Sequence, residues 1–121
     1  MSDNTTVLIV DDDPDIRLIL RSTLDKEGYK VFEAGDAGTA RECIEENSPD
    51  LILLDVMMEE VDTGFAFAEE LAGKIPVIII SSIADSSVKV FDADKLPIRD
   101  ILQKPVKPEV LTEKVRRALE R

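Results

Sequence analysis

The sequence predicts an α/β protein built on a parallel sheet with helices on both faces. Short apolar runs alternate along the chain with segments of helical periodicity, a pattern typical of consecutive βαβ units. The central runs, LILL at 51–54 and VIII at 77–80, show little alternation of apolar and polar residues, as expected of strands covered on both faces. Right-handed crossovers between such strands place helices on either side of the sheet.

The first half of the chain carries clear start and stop signals. A strand is predicted at 7–10, and Asp13 and Pro14 then provide an N-cap and a proline suited to the first helical position. Gly28 suits the end of that helix, and a second strand follows at 30–34. The inner face predicted for the helix consists of Ile16, Ile19, Leu20, Thr23 and Leu24.

The same alternation continues to the C-terminus. Asp36 is predicted to cap a second helix, and Pro49 ends it. Its predicted inner face is Ala40, Cys43 and Ile44. The later elements are a strand at 51–55, a helix at 64–72, a strand at 76–80, a helix at 84–94, a strand at 99–103 and a helix from Pro108. The inner face predicted for the last helix is Val110, Leu111, Val115 and Leu119.

Composition limits the classes of function. The 121 residues, 44% of them hydrophobic, fit one folded domain over 1–121 with a core at about 6–119. The net charge of -11 argues against direct nucleic-acid binding, which depends on Lys and Arg. No apolar run is long enough to cross a membrane and no signal peptide is evident, so we expect a cytoplasmic protein. The absence of His excludes His-based metal sites and Ser-His or Cys-His catalysis, and the single Cys excludes an internal disulfide.

Polar residues follow four of the predicted strands at the point where each strand ends. They are Asp11 and Asp12 after the first strand, Asp55 at the end of the third, Ser81 after the fourth and Lys104 after the fifth. Ligands bind beyond the carboxyl ends of the strands in a parallel α/β sheet. We therefore expect these side chains to lie along one edge.

These residue types suit the transfer of a phosphoryl group to a carboxylate. Asp55 can act as a nucleophile and form an acyl phosphate. Asp11 and Asp12 offer the oxygen ligands that Mg²⁺ prefers, Lys104 a compact positive charge and Ser81 a hydroxyl donor. Two carboxylates ~5 Å apart repel by about 3 kcal/mol at an effective dielectric constant of about 20, so an acidic cluster favours a bound cation.

The same motifs resemble the receiver domain of two-component response regulators, in particular its single-domain, chemotaxis-regulator-like members. The likeness is carried by VDDD at 10–13, PDLILLDVMM at 49–58, IPVIIIS at 75–81 and KP at 104–105, and it covers essentially the whole chain. It implies a flavodoxin-like, doubly wound fold with a five-stranded parallel sheet in the order 2-1-3-4-5 and helices on both faces.

The resemblance also implies roles for individual residues. Asp55 is expected to accept the phosphoryl group, with Lys104 and Ser81 assisting. The implied Mg²⁺ ligands are Asp11, Asp12, Asp55 and the backbone carbonyl of Met57, with Asp11 acting mainly through water. Asp13 is expected to be a helix cap and not a ligand. Ile101 departs from the family, which often has an aromatic residue there.

The function that the resemblance implies is signalling rather than turnover of an external substrate. The phosphoryl donor would be a sensor His kinase or a histidine phosphotransfer protein. The domain would assist its own phosphorylation and dephosphorylation, and its change of conformation would regulate an unknown downstream protein without direct contact with nucleic acid or membrane. Because no effector domain follows Arg121, we expect a single-domain regulator or a fragment of a longer protein.

Two alternative functions fit parts of the pattern. A haloacid-dehalogenase-type Mg²⁺ phosphatase also uses an Asp nucleophile after a strand, and the segment 11–13 contains its Asp-x-Asp motif. That alternative leaves Asp55 without a role. The other alternative is a degenerate receiver that only binds partners. The acidic, hydroxyl and Lys positions of this chain are intact, which counts against that alternative. Taken alone, 11–13 would be a solvated cap and Ser81 a turn residue.

Overall fold

The computed structural model describes residues 5–55, 75–82, 98–104 and 106–119. The elements in chain order are β1 Thr6–Val10, α1 Pro14–Lys26, β2 Lys30–Ala34, α2 Ala37–Asn47, β3 Leu51–Asp55, β4 Val77–Ser82, β5 Ile98–Lys104 and α3 Pro108–Leu119. The helices predicted at 64–72 and 84–94 lie outside the described residues. β4 and β5 both extend past the ends predicted for them, so Ser81 and Lys104 belong to strands and do not follow them.

The five strands are parallel and run in the order β2-β1-β3-β4-β5, as predicted. The direction of winding reverses between β1 and β3, because β2 lies on one side of β1 and the later strands lie on the other. Val10 of β1 pairs with Leu54 of β3. Asp11 is therefore level with Asp55 at this reversal, where ligands bind in open α/β sheets.

Each face of the sheet packs against its own set of helices. Alternate strand residues such as Val10 and Leu54 join Ala40 of α2 in one apolar cluster. The intervening residues, such as Ile9 and Leu53, pack with α1 and α3 in the other. The core strands are thus covered on both sides, which is why the runs in β3 and β4 lack alternation.

Helix α1 confirms its predicted ends and corrects its predicted inner face. The Asp13 side chain caps its start and Gly28, with φ of 89°, follows its last turn. Leu20 and Leu24 are buried, but Ile19 is 52% exposed. One residue turns a helix by about 100°, so a stripe centred on Leu20 and Leu24 carries Ile19 away from the sheet.

Helix α3 needs a similar correction. Val110 was predicted to face inward and is exposed, whereas Ala118, which the prediction omitted, is buried. The buried stripe consists of Leu111, Val115 and Ala118, at spacings of four and three residues. Val110 precedes Leu111 by one residue and is therefore rotated off that stripe.

Leu20 and Leu18 of α1 provide a matched test of this packing. Leu20 is 1% exposed and Leu18 is 62% exposed. We expect Leu20→Ala to lower the free energy of unfolding by about 2–5 kcal/mol, because it leaves a cavity against the sheet. Leu18→Ala is expected to change it by no more than about 0.5 kcal/mol. Urea denaturation measures both, and equal losses in the two variants would contradict the packing described.

The cap of α2 predicts a pH dependence of stability. The backbone N–H of Thr39 donates to the Asp36 carboxylate at 2.7 Å and holds the pKa of that carboxyl below its ordinary value. Because the folded-state pKa is the lower one, the stabilisation is present above the unfolded-state pKa and is lost as pH falls through the folded-state pKa. Asn caps a helix about as well as Asp but does not titrate there. Between about pH 6 and about pH 3, the melting temperature of wild type should therefore fall relative to that of Asp36→Asn. A constant difference would contradict this account.

Candidate functional site

Three of the predicted site residues come together at the carboxyl edge of the sheet. Asp11, Asp12 and Asp55 each place a carboxylate oxygen within 4.8 Å of the others. Asp11 and Asp55 are buried, 0% and 2% exposed, whereas Asp12 is exposed. The cluster is therefore an acidic recess that opens to solvent on the Asp12 side.

Strand register determines where the two buried carboxylates lie. Asp55 is the last residue of β3 and pairs with Ile80 of β4. Asp11 follows the last residue of β1, and its backbone N–H still donates to the carbonyl of Ala34 in β2 at 3.0 Å. Asp11 and Asp55 thus lie at the ends of two adjacent strands, which are buried from Val7 in β1 and throughout β3.

The loop after β1 separates the roles of its three aspartates. Asp13 donates its backbone N–H to Oδ1 of Asp11 at 2.9 Å. Its own side chain accepts the backbone N–H of Asp15 at 2.9 Å and caps α1. Asp13 is therefore a cap, as predicted, and its backbone orients the neighbouring carboxylate of Asp11.

Arg17 is a site neighbour that the sequence analysis missed. Its Nη1 donates to the backbone carbonyl of Asp11 at 2.5 Å, and its Nε donates to Oε1 of Glu33 at 3.1 Å. Arg21 donates from Nη1 to Oε2 of the same Glu33 at 2.7 Å. Glu33 lies 16 residues from Arg17. The available signal was an Arg in the first turn of α1 and a Glu near the end of the adjacent strand β2.

Ser81 and Lys104 lie on the same edge at the level of the backbone. Ser81 follows Ile80, the partner of Asp55, and pairs with Gln103. Lys104 pairs with Ser82 and is the last residue of β5. Their strands therefore bring both positions to the carboxyl edge that holds the acidic cluster. The predicted metal ligand Met57 lies outside the described residues.

The donor set of the cluster fits a hard divalent cation. Mg²⁺ and Ca²⁺ prefer carboxylate oxygens, and three converge here. Holding three negative charges so close, two of them buried, is unfavourable without a positive charge between them. Within the described residues, Asp11, Asp12 and Asp55 form the one group of acidic side chains that lie close enough together to share an ion.

Comparison with known proteins agrees with this geometry. The sequence matches the profile of the response regulator receiver domain over residues 7–116. The chain belongs to this family. Receiver domains carry a phosphoacceptor site and are phosphorylated by histidine kinases, so this receiver is a signalling module and not a classical enzyme. The acidic cluster is typical of their phosphorylation site and consistent with their metal site. Family membership removes the support for a dehalogenase-type phosphatase.

Individual relatives extend the likeness over nearly the whole chain. The receiver is 34% identical over 118 residues to the response regulator GtcR of Aneurinibacillus migulanus, covering 96% of this chain and 48% of GtcR. It is 31% identical to the receiver domain of NtrX from Brucella abortus, with a TM-score of 0.85 and coverage of 94% and 98%. A CheY-like receiver domain protein from Methanospirillum hungatei JF-1 gives 29% identity, a TM-score of 0.83 and coverage of 96% and 94%. The chain spans about half the length of the curated relatives it matches.

No helix in the described part of the receiver is long and apolar enough to span a membrane.

Repulsion within the cluster predicts an unusual effect of neutralising Asp12. In EDTA, Asp12→Asn should raise the free energy of unfolding by about 1 kcal/mol, because an exposed carboxylate within 4.8 Å of two others repels them weakly. With a saturating divalent cation, for which Mg²⁺ serves as the probe, wild type should gain more stability than the variant. Glu45→Gln, on the exposed face of α2, controls for the general effect of lowering net charge. Thermal melts measure all three proteins. Destabilisation of Asp12→Asn in EDTA would contradict the repulsion.

Proposed function

We propose that Asp55 of this receiver accepts a phosphoryl group from a sensor His kinase or a histidine phosphotransfer protein. Asp12, Asp55 and the backbone carbonyl of Met57 would hold Mg²⁺, and Asp11 would act mainly through water. Phosphorylation then changes the conformation of the domain and so regulates a downstream protein. The observation that carries the proposal is the convergence of three carboxylates at the reversal between β1 and β3.

Asp55 suits the acceptor role because it is the buried member of the cluster that ends a strand. One of its carboxylate oxygens attacks the phosphorus of a phosphohistidine. The new O–P bond forms an acyl phosphate as the P–N bond breaks, and the imidazole leaves with its electron pair and takes a proton from solvent. The fixed end of β3 holds the nucleophile in place, so little orientational freedom is lost on reaction.

The other residues of the edge neutralise charge. Bound Mg²⁺ would supply positive charge to the phosphoryl oxygens and relieve the carboxylate repulsion. We assign Lys104 to a second phosphoryl oxygen and the hydroxyl of Ser81 to donation of a hydrogen bond. Their support is their place at the carboxyl ends of β4, which pairs with the strand that ends in Asp55, and of β5, which pairs with β4. The same groups assist hydrolysis of the acyl phosphate, which returns Asp55 to its free form.

The proposal extends to the domain and its partners. We place the domain at 1–121 with its core at about 6–119, close to the family match at 7–116. The net charge of -11 favours a basic protein surface as the partner and disfavours nucleic acid. We place this receiver in the cytoplasm, where receiver domains typically act.

The acceptor assignment is tested by labelling with a small phosphodonor. Wild-type protein incubated with acetyl phosphate and Mg²⁺ should gain one phosphoryl group by intact mass, and mild base should remove it. Asp55→Asn should not be labelled, because an amide is not a nucleophile here. Asp25→Asn, at the far end of α1, should be labelled like wild type.

Labelling of Asp55→Asn at the wild-type level would contradict the assignment of the acceptor. Continuous release of phosphate from p-nitrophenyl phosphate, without a trapped adduct, would instead favour a phosphatase. Loss of labelling in both Asn variants would point to a general effect of charge.

A further inference from the structure

We propose that Arg17 is a positioning residue that fixes Asp11 for cation binding, and that Glu33 prevents its guanidinium from opposing the cation. The inference rests on the function proposed above, since it concerns the Mg²⁺ affinity of the same site. It concerns a salt-bridged network outside the acidic cluster, composed of Arg17, Glu33 and Arg21.

The backbone of Asp11 is held on both sides of the residue. Its N–H donates to Ala34 of β2 at 3.0 Å, and its carbonyl accepts Nη1 of Arg17. Its Oδ1 accepts the N–H of Asp13. These bonds fix the peptide planes on either side of a 0% exposed carboxylate. Of these contacts, the one from Arg17 is made by a side chain and can be removed without changing the β1–β2 ladder.

Two hydrogen bonds hold Arg17 in place, and Gly35 leaves room for its guanidinium. It lies in the first turn of α1, where its N–H donates to the carbonyl of Asp13 at 3.1 Å. Its Nε is bound by Glu33, and both side chains are mostly shielded, 20% and 27% exposed. A β-carbon at Gly35 would lie 3.3 Å from Nη1, so the glycine gives the guanidinium its space. The planar fork of Arg can serve Asp11 and Glu33 together, which the single ammonium of Lys cannot match.

The charge of Arg17 opposes the benefit of its geometry. A guanidinium beside an acidic cluster repels an incoming divalent cation, whereas its hydrogen bond preorganises one of the ligands. Glu33 offsets that charge and also accepts Arg21, so Arg17 reaches Asp11 as part of an ion-paired network. Repulsion by the guanidinium lowers Mg²⁺ affinity and preorganisation of Asp11 raises it, so the affinity of an Arg17 variant shows which effect is larger.

The decisive experiment compares the Mg²⁺ dissociation constants of Arg17→Met and Arg21→Met by isothermal titration calorimetry. Both variants remove one arginine of α1 that binds Glu33, but only Arg17 contacts Asp11. We expect Arg17→Met to weaken Mg²⁺ binding by roughly tenfold, as removal of groups that orient metal ligands does. Arg21→Met should stay within about twofold of wild type, and Arg17→Lys should restore part of the affinity.

Glu33→Gln tests the second half of the proposal. Gln can still accept the hydrogen bond from Nε of Arg17 through its Oε1, but it does not neutralise the guanidinium. Mg²⁺ binding should weaken in this variant at low salt, and the difference from wild type should shrink as salt screens the guanidinium. A salt-independent effect, or none, would overturn the role assigned to Glu33.

Each result for Arg17 has a distinct meaning. Tighter Mg²⁺ binding by Arg17→Met would show that Arg17 acts only as a repelling charge. A lower melting temperature in EDTA with unchanged Mg²⁺ affinity would show a merely structural role. Either result overturns the positioning role. If Arg17→Met does not fold, Gly35→Ala is the second variant: its β-carbon would lie 3.3 Å from Nη1, so the guanidinium must shift by a few tenths of an ångström, and Mg²⁺ binding should weaken. Unchanged Mg²⁺ binding by this folded variant would overturn the positioning role. If wild-type protein binds no Mg²⁺, the proposed function fails as well. If wild type binds Mg²⁺ and Arg17→Met binds it equally well, only the role of Arg17 fails.

Discussion

The mutual repulsion of three carboxylates is the interaction on which the rest of this receiver depends. Asp11 and Asp55 are almost completely removed from water, and their oxygens lie within 4.8 Å of each other and of Asp12. Carboxylates buried this close together persist where a stable fold and hydrogen-bond donors, such as the backbone N–H of Asp13, hold them in place. Here the surrounding structure is a parallel sheet covered on both faces, in which the core residues of β1 and β3 are fully buried.

The stability of the sheet and the repulsion within the acidic cluster are thus energetically linked. Burial of the apolar strands stabilises the fold, and this free energy offsets the repulsion between the carboxylates at the strand ends. A bound cation would replace the repulsion with attraction, so part of its binding free energy would come from relieving a repulsion that the fold maintains. Two carboxylates of the cluster, Asp11 and Asp55, are accordingly buried at the sheet edge, whereas Asp12 is exposed in the loop that follows β1.

Much of this arrangement could be predicted from the sequence, because the signals are local. The strands at 30–34 and 51–55 and the cap residues Asp13 and Asp36 were predicted correctly from hydrophobic runs and turn chemistry. The convergence of the aspartates followed from the rule that parallel strands share a carboxyl edge.

What the sequence did not reveal depends on tertiary packing. Ile19 and Val110 fit a helical period but lie beside the buried stripe, because the contact with the sheet is narrower than the apolar face. The bond from Arg17 to Asp11 joins a side chain to a backbone carbonyl, and neither the pairing nor the role of Glu33 follows from residue type. The lengths of β4 and β5 likewise depend on their mutual pairing.

Asp13 joins the acidic recess to the first turn of α1. Its side chain caps the helix while its backbone N–H holds Oδ1 of Asp11. Fraying of that first turn would therefore release a buried carboxylate at the same time as it opens the helix. Amide protons at Asp13 and Asp15 belong to one cooperative unit of local opening, and their exchange with solvent should report on the order of the recess. Helix fraying, ordinarily inconsequential at a surface, is here coupled to the rigidity of the site.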